Sequence, residues 1–335
     1  MTAQPQRPAF GTLLTSHMAV AAYSQGRWSK GEIKPVAPIE LSPAAHVLHY
    51  ASTCFEGFKA YRRADGSVHT FRMARHIQRL QQSARQLVLP EPATDQVADM
   101  VRAVINRCRD AVPEAPGALY LRPILFGTTA NIGAAATPTV EASLIVLASP
   151  VWDYFSGGAK PLRILVDDEN TRSAAQMGMV KTGGNYAAAL GPTLRARAKY
   201  QVDQVLFCPG GQVQETGAAN FVLIREGKLL TRGLDSTFLH GVTRDSLLTL
   251  ARDLGYQVSE RVFDVHEMLD WVKSGEAALS GTAAVLAGVG TLIYRGTEHL
   301  AANGEVGPLT RALRGQLVAV QQGEAPDRHG WLEPV

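Results

Sequence analysis

The sequence predicts an α+β protein of two domains: a small N-terminal α/β domain and a larger β-rich domain with flanking helices. Three observations predict it. The chain has 335 residues, and at roughly 150 residues per domain there is room for about two, each with its own core. A stretch containing Pro150, Trp152, Asp153, Gly157 and Gly158, with Pro161 just after it, reads as a linker over 148–160 and sets the domains at 1–147 and 161–335. Before it, strand and helix patterns follow one another; after it, short strands broken by Gly-rich turns dominate.

Alternation and turn residues predict a strand from Gly57 to Arg62, a turn at Ala64-Asp65-Gly66 and a strand from Val68 to Phe71, together a hairpin. A helix follows from Arg72 to Val88, with Ile77, Leu80, Ala84 and Leu87 at helical spacing and Pro90 closing it. On that spacing Arg79 falls on the polar side, and its neighbours Arg72, Arg75 and Arg85 read as solvated. A helix over Asp95 to Asp110, a strand over Ala118 to Phe126, a small-residue loop over Gly127 to Thr139 and a strand over Ala142 to Ala148 complete the first domain.

The second domain opens with a strand from Leu162 to Val166 and a helix entered after Lys181. Short strands are predicted at Gln204 to Phe207, Gln212 to Glu215, Phe221 to Arg225 and Lys228 to Thr231, joined by turns at Pro209-Gly210-Gly211 and Glu226-Gly227-Lys228. A helix runs from Thr243 to Gly255, a strand from Ala277 to Leu279 leads into Ser280-Gly281-Thr282-Ala283-Ala284, and a last helix covers Leu309 to Gln322. There is no internal repeat and no low-complexity segment.

The net charge of +3 is spread along the chain, so nothing points to nucleic acid, and a small anionic ligand fits better. No apolar stretch is long enough to span a membrane, and the start, with Gln4, Pro5, Gln6, Arg7 and Pro8, lacks the apolar core of a signal peptide. A cytoplasmic protein is expected. Cys54, Cys108 and Cys208 are far apart and form no CxxC, so neither a disulfide framework nor a metal site is expected, and buried thiols are.

The chemistry centres on Lys181, in the run Met179-Val180-Lys181-Thr182-Gly183-Gly184-Asn185-Tyr186. Two glycines, an amide and a phenol directly after a lysine make little sense as a solvated surface; a lysine there could form an imine with a cofactor aldehyde. Glu215, in Gln214-Glu215-Thr216-Gly217-Ala218-Ala219-Asn220-Phe221, could pair with a pyridinium nitrogen and make the ring an electron sink; alternatively it is a strand-end surface glutamate. Arg79 could grip a phosphate through paired hydrogen bonds. Gly241-Val242-Thr243 opens a helix and offers free backbone N–H groups to an anion, or is a plain N-cap. Ser280-Gly281-Thr282 repeats the pattern at a strand end. Gly288-Val289-Gly290 lacks the third glycine of a dinucleotide loop and is discounted, and no Walker A, HExxH or GxSxG motif is present.

Assembled, these residues resemble the fold-type IV pyridoxal-phosphate transaminases (class IV aminotransferases, the D-amino acid aminotransferase-like fold), and most closely the branched-chain amino acid aminotransferases. The resemblance covers nearly the whole chain. It rests on Leu48-His49-Tyr50, Phe55-Glu56-Gly57, His76-Ile77-Gln78-Arg79-Leu80 with Ser83-Ala84, Tyr120-Leu121-Arg122-Pro123, the Lys181 to Tyr186 run, Glu215 with Gly217 and Asn220-Phe221, Gly241-Val242-Thr243-Arg244, and Ser280-Gly281-Thr282-Ala283.

The resemblance implies that Lys181 holds pyridoxal 5'-phosphate as an internal aldimine and is the catalytic acid–base. It implies that Glu215 pairs with the pyridine nitrogen, that Tyr186 hydrogen-bonds the phenolic oxygen, and that Arg79, the backbone of Val242 and Thr243, and Thr282 hold the phosphate. The substrate α-carboxylate is implied to meet the N–H groups of Thr282 and Ala283 with help from Tyr120 and Arg122, while Phe55, Gly57 and Tyr50 shape an apolar side-chain pocket. The implied reaction is a ping-pong transfer from L-leucine, L-isoleucine or L-valine to 2-oxoglutarate, giving branched 2-oxo acids and L-glutamate. In the family the loop matching Gly127 to Thr139 reaches a neighbouring subunit, so a homodimer is expected.

Departures from the family pattern also carry information. Val285 stands where the shorter bacterial enzymes usually have glutamate, which resembles the branch that includes the animal enzymes. Animal members of that branch carry a CxxC redox switch at positions matching Ala284 and Ala287, so no thiol switch is expected here. The stretch Met1 to Gln25, with Leu13, Leu14, Met18 and Val20, is longer than in the short enzymes and is expected to pack across the small domain. A D-amino acid or (R)-amine transaminase would use the same lysine and glutamate. An aminodeoxychorismate lyase fits the Phe55-Glu56-Gly57 and Lys181 to Tyr186 motifs poorly, and a non-enzymatic binder has no use for the lysine, glutamate and phosphate sites together.

Overall fold

The computed structural model describes residues 8–152 and 160–335. Met1 to Arg7 of the N-terminal stretch, and Asp153, Gly157 and Gly158 of the expected linker, lie outside the described residues. The chain divides into two compact units: the described residues within Met1–Tyr154, Lys181–Gly183 and Gln321–Val335 form one, and those within Phe155–Val180 and Gly184–Val320 the other.

In the first unit the strands are β1 (His17–Ser24), β2 (Arg27–Trp28), β3 (Glu32–Pro35), β4 (Thr53–Phe55), β5 (Phe58–Arg62), β6 (Val68–Phe71), β7 (Ala118–Gly127) and β8 (Ala142–Val151), and the helices α1 (His46–Tyr50), α2 (Met73–Gln86) and α3 (Thr94–Arg107). With the C-terminal strand Leu332–Pro334 they make a nine-stranded sheet in the order Leu332–Pro334, β6, β5, β7, β8, β1, β2, with β3 on β1 and β4 on β7. All these pairings are antiparallel. The core joins Phe58, Leu119, Leu121, Leu125 and Leu144 of the sheet to Ile77 and Leu80 of α2 and to Val97, Val101, Val104 and Ile105 of α3.

Several expectations need correction here. Strand β8 continues to Val151, pairing Ala148–Val151 with Ala118–Leu121, so the chain does not become a linker at residue 148. The C-terminal residues belong to this unit, because Leu332 pairs with Phe71 and Pro334 with His69. Arg79 lies on the buried face of α2, beside His76, Ile77, Leu80, Ser83 and Ala84; a local carboxylate compensates its charge there. Arg72 is also buried, at the left-handed residue before α2 (φ 56), with its guanidinium 5.1 Å from the Trp331 ring centroid. Arg75 and Arg85 are exposed, as expected. In the N-terminal stretch Met18 is buried, and β1 pairs with β8 and with β3, a hairpin the sequence pattern did not suggest.

The second unit contains β9 (Leu162–Asp167), α4 (Gly183–Tyr200), β10 (Gln204–Phe207), β11 (Asn220–Arg225), β12 (Lys228–Thr231), α5 (Val242–Asp253), β13 (Gln257–Glu260), α6 (Val265–Val272), β14 (Glu276–Gly281), β15 (Val285–Tyr294), β16 (Thr297–Leu300) and α7 (Pro308–Gln322), whose last residues fall in the first unit. Its eight-stranded sheet runs β10, β9, β15, β14, β11, β12, β13, with β16 on β15. The sheet is mixed: β9 pairs in parallel with β10 and β15, and β12 with β13. The segment Gln212 to Glu215 is not a strand. Val213 N–H donates to Phe263 and Gln214 N–H to Phe207, so its hydrogen bonds go to different partners and no ladder forms. Gly288 and Gly290 lie inside β15, where an added Cβ would sit 2.8 Å from Val306 Cγ1 and 2.4 Å from the Gly304 carbonyl; they permit close backbone packing. All three cysteines are buried, and burial raises the Cys54 and Cys208 thiol pKa values well above the usual range.

Candidate active site

Lys181 is held to the first unit by main-chain bonds. Its N–H donates to Ser83 Oγ on α2 (3.0 Å), its carbonyl accepts from Phe55 N–H on β4 (3.0 Å), and Thr182 Oγ1 donates to the Thr53 carbonyl (2.7 Å). The Lys181 side chain reaches an aromatic ring. Its Nζ lies 5.0 Å from the Phe55 ring centroid, and Arg122 Cζ lies 4.7 Å from the same ring, both within cation–π range. Arg122 Nη2 donates to Tyr120 Oη at 2.9 Å. A Cβ on Gly57 would fall 1.8 Å from that oxygen, so glycine is what lets the phenol stand there. Phe55, Gly57, Tyr120, Arg122 and Lys181 are thus brought together. Tyr50 is occupied differently: its hydroxyl donates to the Ile132 carbonyl and its ring leans on His46 and His49.

Glu56, the middle residue of the Phe55-Glu56-Gly57 motif, had no role on sequence grounds. Only 1% exposed, it accepts from Arg79 Nε (2.6 Å) and Nη2 (2.9 Å), from His76 Nδ1 (2.7 Å) and from Gly57 N–H (3.1 Å). Burial alone would raise its pKa; the Arg79 guanidinium and His76 outweigh that and hold the carboxyl well below the usual carboxylate range. Burial depresses the pKa of His76, with Arg79 and Lys181 adding to the effect against the pull of Glu56. The contact is therefore a neutral imidazole donating Nδ1–H to a carboxylate, a tautomer assigned from the hydrogen bond.

In the second unit the centre is Asn220. Its Nδ2 donates to Glu215 Oε2 (3.0 Å) and to the Leu239 carbonyl (2.8 Å), it pairs with Ser280 across β11 and β14, and its Oδ1 would lie 2.0 Å from a Cβ on Gly241. One amide thus gathers Glu215, the Gly241-Val242-Thr243 turn and the Ser280-Gly281-Thr282 turn. Glu215, 2% exposed, also takes Leu239 N–H (2.8 Å) and Arg172 Nη1 (2.6 Å) on Oε1, so it is not a surface glutamate. Arg172 is 1% exposed, and its Cζ lies 5.9 Å from the ring centroid of Tyr186, on the first turn of α4. It was missed because it sits in an irregular segment with no periodic pattern around it. Helix α5 begins after Gly241 without a side-chain cap, leaving its first N–H groups to an outside acceptor. Thr282 and Ala283 form the turn from β14 to β15, which ends at Val285 in a left-handed conformation (φ 62), a strained backbone for a β-branched residue.

Residues 53–291 match the family model for amino-transferase class IV. The chain belongs to the class IV aminotransferases. It is 41% identical to a probable branched-chain-amino-acid aminotransferase of Streptomyces coelicolor, over 97% of this chain and 92% of that one. It is 39% identical to the branched-chain-amino-acid aminotransferase of Mycobacterium tuberculosis, over 98% and 92%. Among solved structures, a T.th. branched-chain amino acid aminotransferase with pyridoxamine 5'-phosphate matches with a TM-score of 0.80 at 25% identity, covering 96% of this chain and 99% of that one. Within the class IV aminotransferases this chain is a branched-chain member.

The cofactor of such an aminotransferase is pyridoxal 5'-phosphate, and the residues present fit it. Ser280 Oγ is buried with no hydrogen-bond partner among the described residues, and it adjoins the uncapped start of α5 through Asn220. An orphaned hydroxyl and unclaimed helix N–H groups suit a phosphate. A buried carboxylate fixed by three donors suits a protonated ring nitrogen.

Proposed function

We propose that this aminotransferase moves the amine of L-leucine, L-isoleucine or L-valine to 2-oxoglutarate in two alternating half-reactions, yielding branched 2-oxo acids and L-glutamate. The observation that carries the reading is Lys181, fixed through its main chain to Ser83 and Phe55, with its amine and Arg122 on one aromatic ring. Pyridoxal phosphate, when bound, supplies an aldehyde and a ring able to accept electrons. Lys181 Nζ would hold it and would carry the proton to and from the substrate Cα. Glu215 keeps the ring nitrogen protonated, and Tyr186 hydrogen-bonds the phenolic oxygen. Arg79, the N–H groups of Val242 and Thr243, and Thr282 hold the phosphate.

Arg122, steadied by Tyr120, meets the substrate α-carboxylate with the N–H groups of Thr282 and Ala283, and Phe55, Gly57 and Tyr50 shape the pocket that takes the aliphatic side chain by desolvation. The loop from Gly127 to Thr139, tied to Tyr50 and exposing Ile132, supports a homodimer as the working unit. A cytoplasmic location belongs to the same reading; no described helix is long and apolar enough to cross a membrane.

The test is the absorption spectrum of the purified protein before and after L-leucine is added without an oxo-acid acceptor. A visible band that bleaches is the expected result. A band that bleaches only with D-alanine or an (R)-amine would move the assignment to a D-amino acid or (R)-amine transaminase. A protein that stays colourless in the presence of pyridoxal phosphate would overturn the reading.

A further inference from the structure

We propose that Glu56 is the positioning residue for phosphate binding, setting the hold of Arg79 on the cofactor by fixing one edge of its guanidinium. This rests on the assignment of Arg79 as a phosphate ligand. Arg79 and His76 stand three residues apart on the buried face of α2, and the Glu56 carboxylate bonds to both: Nε and Nη2 of Arg79 at 2.6 and 2.9 Å, Nδ1 of His76 at 2.7 Å. Glu56 is itself held, since its N–H donates to the Pro123 carbonyl (2.8 Å) between β4 and β5. A two-point bond of this kind removes the rotational freedom of a long side chain and fixes the plane of its donors.

The charge consequence is as important as the geometric one. Glu56 and Arg79 together carry no net charge, and His76 is neutral, so this group can hold an anion only by aimed N–H donors. Its hold should depend on orientation, and orientation depends on Glu56. The motif then has a physical task at each residue: Phe55 N–H anchors the Lys181 main chain, Glu56 orients Arg79, and Gly57 makes room for Tyr120.

The experiment compares apoenzyme affinity for pyridoxal phosphate and for pyridoxal, which lacks the phosphate, in wild type and in Glu56→Ala, Glu56→Gln, Arg79→Met and the Glu56→Ala/Arg79→Met double variant. Fluorescence quenching gives the affinities, and thermal melts verify that each apoprotein is folded. In Glu56→Gln the amide puts a donor against a donor of Arg79 while keeping the shape, so it serves if Glu56→Ala fails to fold. The expected result is pyridoxal phosphate binding weakened about tenfold or more by either Glu56 variant, with pyridoxal changed by less than about twofold, and no further loss in the double variant beyond Arg79→Met. Equal loss for both ligands would mark a merely structural role and overturn the proposal. Tighter pyridoxal phosphate binding in Glu56→Gln would also overturn it, because released charge would then outweigh lost orientation. If Arg79→Met weakens pyridoxal phosphate selectively and the Glu56 variants do not, the proposal fails while the assignment of Arg79 stands. If Arg79→Met leaves the two ligands unchanged relative to each other, that assignment fails and the proposal with it.

Discussion

The two units each bury one carboxylate against one buried arginine, at the same 2.6 Å, yet the two pairs are built differently. Glu56 is bonded on both oxygens by Arg79 and again by His76. Glu215 takes Arg172 Nη1 on Oε1; Leu239 N–H adds to that oxygen, and Oε2 accepts the neutral amide of Asn220. In the first arrangement the acid grips one guanidinium at two points, with a neutral imidazole beside it, and serves to orient that guanidinium. In the second, neutral donors do much of the holding, which leaves a carboxylate with charge to offer a cationic ring. Glu56 therefore reads as a support that orients Arg79, and Glu215, held also by a backbone N–H and a neutral amide, as a participant.

The largest expected effect tests whether the first unit supplies the chemistry. Lys181→Ala should lower kcat by about 10³-fold or more while the variant still folds, checked by a thermal melt, because the bonds to Ser83 and Phe55 use the main chain at this position. A variant that kept substantial turnover would remove the lysine from its role. Next comes Arg172→Met, which strands Glu215 without its cation; urea unfolding of the apoprotein should show a loss of about 3–5 kcal/mol. A loss under about 1 kcal/mol would mean that the neutral donors suffice, sharpening the contrast with Glu56.

Two glycines separate the regions more finely. Gly57→Ala pushes on Tyr120, and through it on Arg122, so KM for L-leucine should rise about tenfold with cofactor affinity preserved. Gly241→Ala pushes on Asn220, so steady-state and binding assays should show the opposite split. If both variants moved the same constant, the assignment of Gly57 to the substrate pocket and of Gly241 to the cofactor would not hold. The smallest effect is acid sensitivity. The folded state keeps His76 neutral below its usual pKa, so the unfolded chain binds more protons and stability falls as the pH drops below about 6.5. Glu56, depressed by Arg79, adds a further loss below about pH 4.3. His76→Asn should flatten the fall in urea midpoint between pH 7 and pH 5; an unaltered slope would assign it elsewhere.

Much of the fold was legible because it is local. The hairpin around Ala64-Asp65-Gly66, the helix before Pro90 and the last helix follow from periodicity and turn chemistry, and the structure shifts their ends by a residue or two. What misled was context. The spacing of Ile77, Leu80 and Ala84 defined an apolar stripe and assigned Arg79 to the other side, because no spacing rule reports a buried carboxylate beside it. Gln212 to Glu215 has the composition of a strand, but its neighbours in space do not offer a ladder. The motif pointed to Glu215, whereas Arg172, Asn220 and Glu56, which set its surroundings or those of Arg79, were without assigned roles.

The sequence by itself determined the family, the lysine and the order of the motifs, because those depend on residue identity at short range. Only the tertiary structure decided which distant groups meet: Glu56 with Arg79 and His76, Arg172 with Glu215, and the strand Leu332–Pro334 with β6. The physical reason is that a buried charge is tolerated only where a partner lies within hydrogen-bond reach, and that partner is fixed by packing in space rather than by distance along the chain.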